Sequence, residues 1–182
     1  MNNPESQMVA VTVRAGSKAE MALPDGTFVH LNAATNLEYD VNNSKQRLVK
    51  LSGEAFFDVA KNPDCPFKVI INDLQIEVVG TSFNVKTYKK DIVETSLLSG
   101  RIRISGGSLP HEYTLSPGQK ATYSAMDRTL RISKADAHVE AGWRDNYLIF
   151  ESTPLIDVIA QIERWYGAVS YTHLRAHETT LH

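Results

Sequence analysis

The sequence lacks the features that by themselves define a disulfide scaffold or a membrane span. Its 182 residues include a single cysteine, Cys65, so the fold cannot depend on an internal disulfide. No partner motif surrounds Cys65, which favours a space-filling residue beside a turn over a reactive thiol. No run approaches the roughly 18 apolar residues that a helix needs to cross a bilayer. The polar start, Met1 to Gln7, does not have the pattern of a signal peptide.

An excess of charge of one sign is also missing. The 19 basic and 21 acidic residues are mixed along the chain and give a net charge of −2. This balance excludes the basic footprint of a nucleic-acid binder and the polybasic patch of a membrane-surface protein. A hydrophobic content of 42% is that of a globular protein with a core, and the length fits one domain or one domain plus part of a second.

The common catalytic motifs are absent as well. The chain has no P-loop, nucleophile elbow, dinucleotide fingerprint or CxxC pair. His173 and His177 are four residues apart, but their HLRAH motif lacks the acid that follows the first histidine in zinc proteases. Glu54 and Asp58 share one face of a predicted strand, and we interpret them as solvated outer-face charges, not as a catalytic pair. The sequence therefore predicts no enzyme, no cofactor and no metal site.

Short apolar/polar alternations dominate the sequence, and clusters of Gly, Asn, Asp and Pro separate them. Within residues 47–88, for example, Ala55, Phe57 and Val59 share one face of a predicted strand. More than ten such strands follow one another at close spacing without an intervening helix. This pattern predicts a mainly β domain over residues 9–140, built as a two-sheet sandwich or a solenoid-like stack. No strict repeat decides between these architectures.

Two kinds of turn signal punctuate the strands. Pro24-Asp25-Gly26 lies between apolar runs and predicts a hairpin, because proline presets φ and glycine accepts a positive φ. Four more glycines are predicted to serve turns or bulges that shape strand edges: Gly53, Gly80, Gly100 and Gly118.

The pattern changes after residue 140. An apolar run at 147–150 predicts one more strand, and Ser152–Pro154 has the pattern of a helix start. Apolar residues at helical spacing then predict a helix from Leu155 to Tyr166 that ends at Gly167. We interpret residues 141–169 as a linker strand and a helix that begin a second, small α/β domain.

Three aromatic residues, Trp143, Trp165 and Tyr166, lie where the β region meets the helical one. Aromatic residues can anchor a protein interface, so these three form the candidate partner interface. The alternative is that they close a core between two subdomains, which is the commoner role of large aromatics.

The last segment, residues 170–182, has no periodicity and contains three of the six histidines. We interpret it as a non-native tail and exclude it from the fold prediction.

A series of motifs resembles a known family. In chain order they are LPDGTFVHLNAATNLEY, RLVKLSGEAFFDVAKNPDCPF, VVGTSFNVKTY, LLSGRIRI, LSPGQKATY, W-x6-F-x3-PL and ERWYG. Together they resemble the periplasmic region of FecR-type anti-sigma regulators, especially those typical of Bacteroidetes. The resemblance runs from about Val11 to Val169. A single motif would be weak evidence, but the ordered series is specific.

The resemblance implies a relay across the bacterial envelope. Proteins of this kind are anchored in the inner membrane by one helix, and a cytoplasmic segment holds an extracytoplasmic-function sigma factor. Their periplasmic part receives a signal from the N-terminal signalling domain of a TonB-dependent outer-membrane transporter. Arrival of an iron chelate or a glycan is thereby converted into transcription of uptake genes.

The resemblance also implies what surrounds the matched region. The sigma-binding segment and the membrane helix would precede Val9, and most of a small α/β domain similar to the signalling domain of secretins and TonB-dependent receptors would follow Val169. Two other hypotheses remain at this point. One is an enzyme or a carbohydrate-binding β domain with Trp143 or the Tyr residues as a sugar platform, and the other is a structural assembly domain.

Overall fold

The computed structural model describes residues 7–41 and 47–168, which form two stacked β-sheets and a C-terminal helical segment. The strands are β1 Met8–Val13, β2 Ala19–Ala22, β3 Phe28–Leu31, β4 Thr35–Asp40, β5 Arg47–Ser52, β6 Glu54–Asp58, β7 Phe67–Ile71, β8 Leu74–Val78, β9 Ser82–Lys86, β10 Ile92–Ser99, β11 Ile102–Gly106, β12 Tyr113–Leu115, β13 Gln119–Ser124 and β14 Thr129–Lys134. They are followed by α1 Ala137–Ala141, a 3₁₀ helix Gly142–Asp145 and α2 Leu155–Tyr166.

Each sheet has seven strands. Sheet A has the order β1-β4-β5-β7-β8-β11-β12, and sheet B has the order β14-β13-β10-β9-β6-β3-β2. All neighbouring strands are antiparallel except β5 and β7, which run parallel. The predicted Pro24-Asp25-Gly26 hairpin forms between β2 and β3. The prediction of a mainly β fold is confirmed, and the architecture is the two-sheet alternative.

The core lies between the sheets. It is built from the inward-facing residues of strands along which buried and more exposed side chains alternate. At its centre the ring of Phe57 stacks on that of Phe83, with centroids 5.2 Å apart, and lies tilted against Phe67 at 5.8 Å. β6 departs from the alternation, because Glu54 through Phe57 are all buried. Both faces of this strand are therefore covered, and the C-terminal segment provides the second cover.

The C-terminal segment partly follows the sequence prediction. α2 has the predicted bounds, and Gly167 ends it in the left-handed conformation with a φ of 64°. The strand predicted at 147–150 is wrong, since these residues form no ladder with a neighbouring strand. Pro154 is the residue before the first helical turn, not its first member. The predicted tail, residues 170–182, lies outside the described residues.

A buried arginine connects the β2–β3 turn to β5. Asp25 accepts hydrogen bonds from the backbone N–H of Thr27 at 3.0 Å and from Arg47 Nε at 2.7 Å. Arg47 also donates to the carbonyl oxygens of Cys65 at 2.9 Å and of Ala60 at 2.5 Å. The guanidinium therefore ties three chain segments together from one buried position. Local spacing alone could not reveal this role, because Asp25 and Arg47 are 22 residues apart.

Gly53 provides the first testable prediction. Its φ is +115°, and a Cβ atom there would lie 2.4–2.8 Å from the Oγ1, Cα and Cβ atoms of Thr35. An alanine at this position would be strained in its backbone and would clash with Thr35. Gly53→Ala should therefore lower the free energy of unfolding by roughly 2–3 kcal/mol. Gly118→Ala is the matched control, since Gly118 also has a positive φ but no atom within 4 Å of the added Cβ.

Urea unfolding of both variants measures the difference. Gly118→Ala should lose only the conformational part, about 1 kcal/mol. Equal losses in the two variants would contradict the close approach of Thr35 to Gly53.

Candidate functional site

The C-terminal segment packs on the outer face of sheet B and forms a third layer there. Trp143, in the 3₁₀ helix, is only 4% exposed and lies in a small cluster with Phe56 and Ala141. Leu98 and Trp165 pack against the same cluster. This apolar contact lies on the side of sheet B that faces away from the main core, so it is where the segment is anchored.

A chain of buried hydrogen bonds continues from Trp143 into the sheet. Trp143 Nε1 donates to Asn84 Oδ1 at 3.1 Å, and Asn84 Nδ2 donates to Glu54 Oε1 at 2.9 Å. Asn32 Nδ2 donates to the second carboxylate oxygen, Oε2, at 2.8 Å. Since Asn84 uses its oxygen and its nitrogen in two directions, the network fixes its amide orientation. Burial raises the pKa of Glu54, although Lys86 and the two amides favour its charged form.

The burial of Glu54 corrects the sequence prediction of a solvated charge. Glu54 is 5% exposed, whereas Asp58 lies at the surface and accepts a hydrogen bond from Ser82 Oγ at 2.7 Å. One signal in the sequence could have indicated this difference. Phe56 lies between the two acids on the same outer face, and a large aromatic there indicates that something covers the face.

Lys18, in the β1–β2 connection, links the two halves of the segment. Its Nζ donates to the carbonyl oxygen of Trp143 at 2.5 Å and to Asn146 Oδ1 at 3.0 Å. The same ammonium lies 3.5 Å from the ring centroid of Trp165. A single cation therefore contacts both tryptophans of the candidate interface and holds α2 close to the 3₁₀ helix.

Besides the packing of Trp165, α2 contacts the β domain through its polar side. Asp157 forms an ion pair with Lys89 at 2.7 Å, and the Arg164 guanidinium lies 4.0 Å from the ring centroid of Tyr88. At the C-terminal end, the backbone N–H of Gly16 donates to the carbonyl oxygen of Arg164 at 2.8 Å. These contacts are directional and mostly solvent-accessible, so each contributes little free energy compared with buried apolar packing.

Apart from Trp165, part of the apolar surface of α2 points away from the β domain. Leu155 is 74% exposed, Ile162 is 40% exposed and Tyr166 is 71% exposed. Their spacing of seven and four residues places them on one helical face, which we call the α2 stripe. An amphipathic helix normally buries such a stripe, and exposed apolar patches are typical of interaction sites.

Between α2 and sheet B lies a cleft of about 360 Å³ with charged walls. Its charges are largely paired with one another. Lys120 Nζ, for instance, lies 2.9 Å from both Glu94 Oε1 and Glu140 Oε1. In residues 7–41 and 47–168, no group of three His, Cys, Asp or Glu side chains is arranged to hold a metal ion. His173 and His177 lie outside that range.

The structure brings two of the three candidate interface residues together. Trp143 and Trp165 belong to one cluster, while Tyr166 projects outward at the end of α2. Trp143 is covered, so its ring face is not available as a sugar platform. Sequence reasoning missed Lys18, Asn32, Asn84 and Glu54, since each interacts with residues far away in the chain.

The turn residues occupy conformations of the predicted type at most positions. Gly26, Gly53, Gly100 and Gly118 all have positive φ angles. Gly80 does not, but a Cβ there would lie 2.9 Å from the Cα of Lys61, so this position requires glycine for close chain approach.

Comparisons with known proteins give a consistent result. The model of the family described as FecR protein matches residues 9–103, just over half of the chain. Two crystal structures of candidate anti-sigma factors from Parabacteroides distasonis are similar, each with a TM-score of 0.81. One is 31% identical and the match covers 88% of this chain and 76% of that one. The other is 32% identical and the match covers 87% and 75%.

The comparison with curated proteins finds no match. None of the helices in the described ranges is both long enough and apolar enough to cross a membrane.

Proposed function

Because this chain belongs to the FecR protein family, we propose that it is the periplasmic, signal-receiving region of a membrane-anchored anti-sigma factor. Similarity to candidate anti-sigma factors over most of the chain supports this role. Two partners follow from the proposal. One is an extracytoplasmic-function sigma factor, held by a cytoplasmic segment. The other is the signalling domain of a TonB-dependent outer-membrane transporter, whose state controls the uptake of an iron chelate or a glycan.

The observation that supports the relay most directly is the orientation of α2. Its polar side contacts the β domain, and the α2 stripe faces solvent. A small domain does not normally leave an amphipathic helix unpaired, because apolar area removed from water contributes about 25 cal/mol per Å². We propose that α2 is the first helix of a small α/β domain and that Leu155 and Ile162 of its stripe contribute to the core of that domain, whereas Tyr166, at the end of the helix, stays at its surface.

In this arrangement the β domain is a rigid support, and the α/β domain meets the transporter. Trp143 would hold the C-terminal segment in place from its buried position. Trp165 and Tyr166 lie next to the junction, and Tyr166 is largely exposed. Tyr166 is therefore the member of the candidate interface that could contact a partner directly.

Calorimetric titration tests the proposal. The signalling domain of a TonB-dependent transporter encoded by a neighbouring gene is titrated into this chain. It is also titrated into a version extended through the whole α/β domain. We expect the extended version to bind with a Kd in the micromolar range and this chain to bind more weakly or not at all. If this chain binds equally well, the β domain itself carries the contact. If neither version binds, the relay is contradicted.

A matched pair of variants locates the contact. Tyr166→Lys and Met126→Lys introduce the same side chain at two exposed positions, one at the end of α2 and the other in the turn between β13 and β14. Tyr166→Lys in the extended version should weaken binding at least about tenfold, the loss expected of an interface aromatic. Met126→Lys should have no effect.

A further inference from the structure

A second interaction surface lies on strand β1, which is one edge of sheet A. This strand is at one edge of sheet A and pairs only with β4 in the described part of the chain. Its sequence, MVAVTV, is six residues long and contains no charge, proline or glycine. An edge strand of this kind presents backbone donors and acceptors to another strand.

The pairing with β4 shows which backbone groups point outward. The N–H of Val41 donates to the carbonyl oxygen of the directly opposite Gln7 at 3.1 Å, so this is a hydrogen-bonded pair. Because such pairs alternate in an antiparallel ladder, Met8, Ala10 and Thr12 direct their N–H and C=O groups away from β4. Thr12 Oγ1 donates to Asn36 Oδ1 at 2.8 Å, as expected for side chains of a close, non-hydrogen-bonded pair.

The other three sheet edges carry protection that β1 lacks. β2 has four residues, and one of them is Glu20. β12 has only three residues, with Pro110 and Pro117 nearby in the chain. β14 contains Arg131 and Lys134. Charges, short length and neighbouring prolines are the usual devices against edge pairing, so β1 is the one unprotected edge of the described sheets.

We propose that β1 pairs with β1 of a second copy of this chain, so that two sheets A join into one continuous sheet. The fitting register is antiparallel and two-fold symmetric about Ala10. Met8 of one copy then lies opposite Thr12 of the other, and Ala10 lies opposite Ala10. The outward backbone groups of these residues form about six hydrogen bonds across the seam, two for each pair.

Side chains and charges fit this register. Among the described residues, the side chains that meet across the seam are small or uncharged, so none of them repels the second copy. Among the described residues, the nearest charges across the seam are Arg14 of one copy and Asp40 of the other, on the same face and separated laterally by two strand spacings, roughly 10 Å. Their signs are opposite. An antiparallel seam is also isologous, so it closes as a dimer and does not propagate into a fibre.

The area buried between the two β1 strands determines how tightly the proposed dimer should associate. A pair of six-residue strands buries less than the roughly 1,200 Å² of a stable interface, so the dimer should be weak. We expect this chain to be monomeric near 1 μM and substantially dimeric at several hundred μM, which corresponds to a Kd of about 10–100 μM. Sedimentation velocity over this range measures the association.

Ala10→Pro removes the central outward N–H without touching the ladder to β4, and edge strands tolerate proline at such positions. It should abolish the concentration-dependent dimer while the melting temperature stays close to that of the wild type. Lys134→Pro is the control at a protected edge. On β14, the backbone N–H of Ala135 donates to the carbonyl oxygen of Gly118, so these two residues form a hydrogen-bonded pair. Because such pairs alternate, the N–H of Lys134 points outward from the sheet edge, as that of Ala10 does on β1. This variant should dimerise like the wild type.

A charge exchange tests the register itself and does not alter the backbone. Ala10→Lys alone and Ala10→Glu alone should each be monomeric, because like charges face each other at the two-fold axis. An equimolar mixture should associate at least as well as the wild type. The proposal is overturned if the wild type stays monomeric at 1 mM, which would leave β1 to a strand of another protein. It is also overturned if Ala10→Pro dimerises unchanged or if the mixture fails to associate.

Discussion

Replacing Asp25 with alanine should lower the free energy of unfolding by about 3–5 kcal/mol, the loss typical of a buried charge that is left without its partner. The stranded group is Arg47, whose side chain is 2% exposed. Its guanidinium would keep its bonds to the carbonyls of Ala60 and Cys65 but lose Asp25, the one negative charge that pairs with it among the described residues. Urea unfolding at pH 7 measures the loss.

Two further variants separate the charge from the packing. Asp25→Asn keeps an acceptor oxygen for Arg47 and should lose clearly less than Asp25→Ala. The double variant Asp25→Ala/Arg47→Met removes both charges and should recover a large part of the stability, because a well-packed apolar replacement of a buried pair is often neutral. A double variant as unstable as Asp25→Ala would show that the pair acts through shape and not through charge.

The same pair predicts a pH dependence. Burial raises the pKa of Asp25, but the hydrogen bonds from Arg47 and Thr27 outweigh burial, and the net pKa lies below its ordinary value. A lowered folded-state pKa stabilises the fold above the unfolded value of about 3.9 and loses this effect as the pH falls through the folded pKa. The difference between wild type and Asp25→Ala should therefore be constant near neutrality and shrink below about pH 4.

Local chemistry made the strands and the hairpin of this fold predictable. Residue alternation marks each half-buried strand, and Pro24-Asp25-Gly26 encodes its own turn. The helix from Leu155 to Tyr166 was also predictable to the residue, because its apolar spacing and the stop at Gly167 are local signals. Secondary structure that is determined by interactions between residues close in sequence can be predicted from the sequence.

The contacts between distant segments were not predictable in the same way. The parallel pairing of β5 with β7 and the docking of Trp143 on Asn84 depend on which surfaces meet in space. The wrong strand at 147–150 has the same origin. Its apolar run is compatible with a strand, but the run lies beside a sheet face and no open edge is there to pair with it. Sequence patterns give the periodicity of a segment but not its partner.

The orientation of α2 shows most clearly that a sequence pattern does not identify the partner of a segment. The sequence predicted a helix with apolar residues at helical spacing from Leu155 to Tyr166, but not which of those residues the β domain would cover. In the described chain the α2 stripe is exposed, Trp165 packs against the Trp143 cluster, and Asp157 and Arg164 make polar contacts to the β domain. A helix held by one ion pair, two cation–π contacts and a single partly buried tryptophan can leave its site more easily than one held by a broad buried apolar face.

The second large effect concerns Trp143. Trp143→Ala should detach the C-terminal segment from sheet B and leave the sandwich folded. Truncation of a buried tryptophan typically costs about 3–5 kcal/mol, and it would also leave Asn84 Oδ1 without its donor. Hydrogen exchange measures the result, with faster exchange expected for the α2 amides from Leu155 to Tyr166. The core strands around Phe57 and Phe83 should stay protected.

Trp143→Phe is the matched control. It keeps most of the apolar contact with Phe56 but removes the Nε1–H, and an unsatisfied buried acceptor costs about 1–3 kcal/mol. Its α2 amides should therefore exchange at a rate between those of wild type and Trp143→Ala. If Trp143→Ala lowers protection in the sandwich and α2 alike, the segment folds with the sandwich as one cooperative unit. If only α2 is affected, the segment is a separately releasable element, and a partner on its stripe could shift its position without unfolding the β domain.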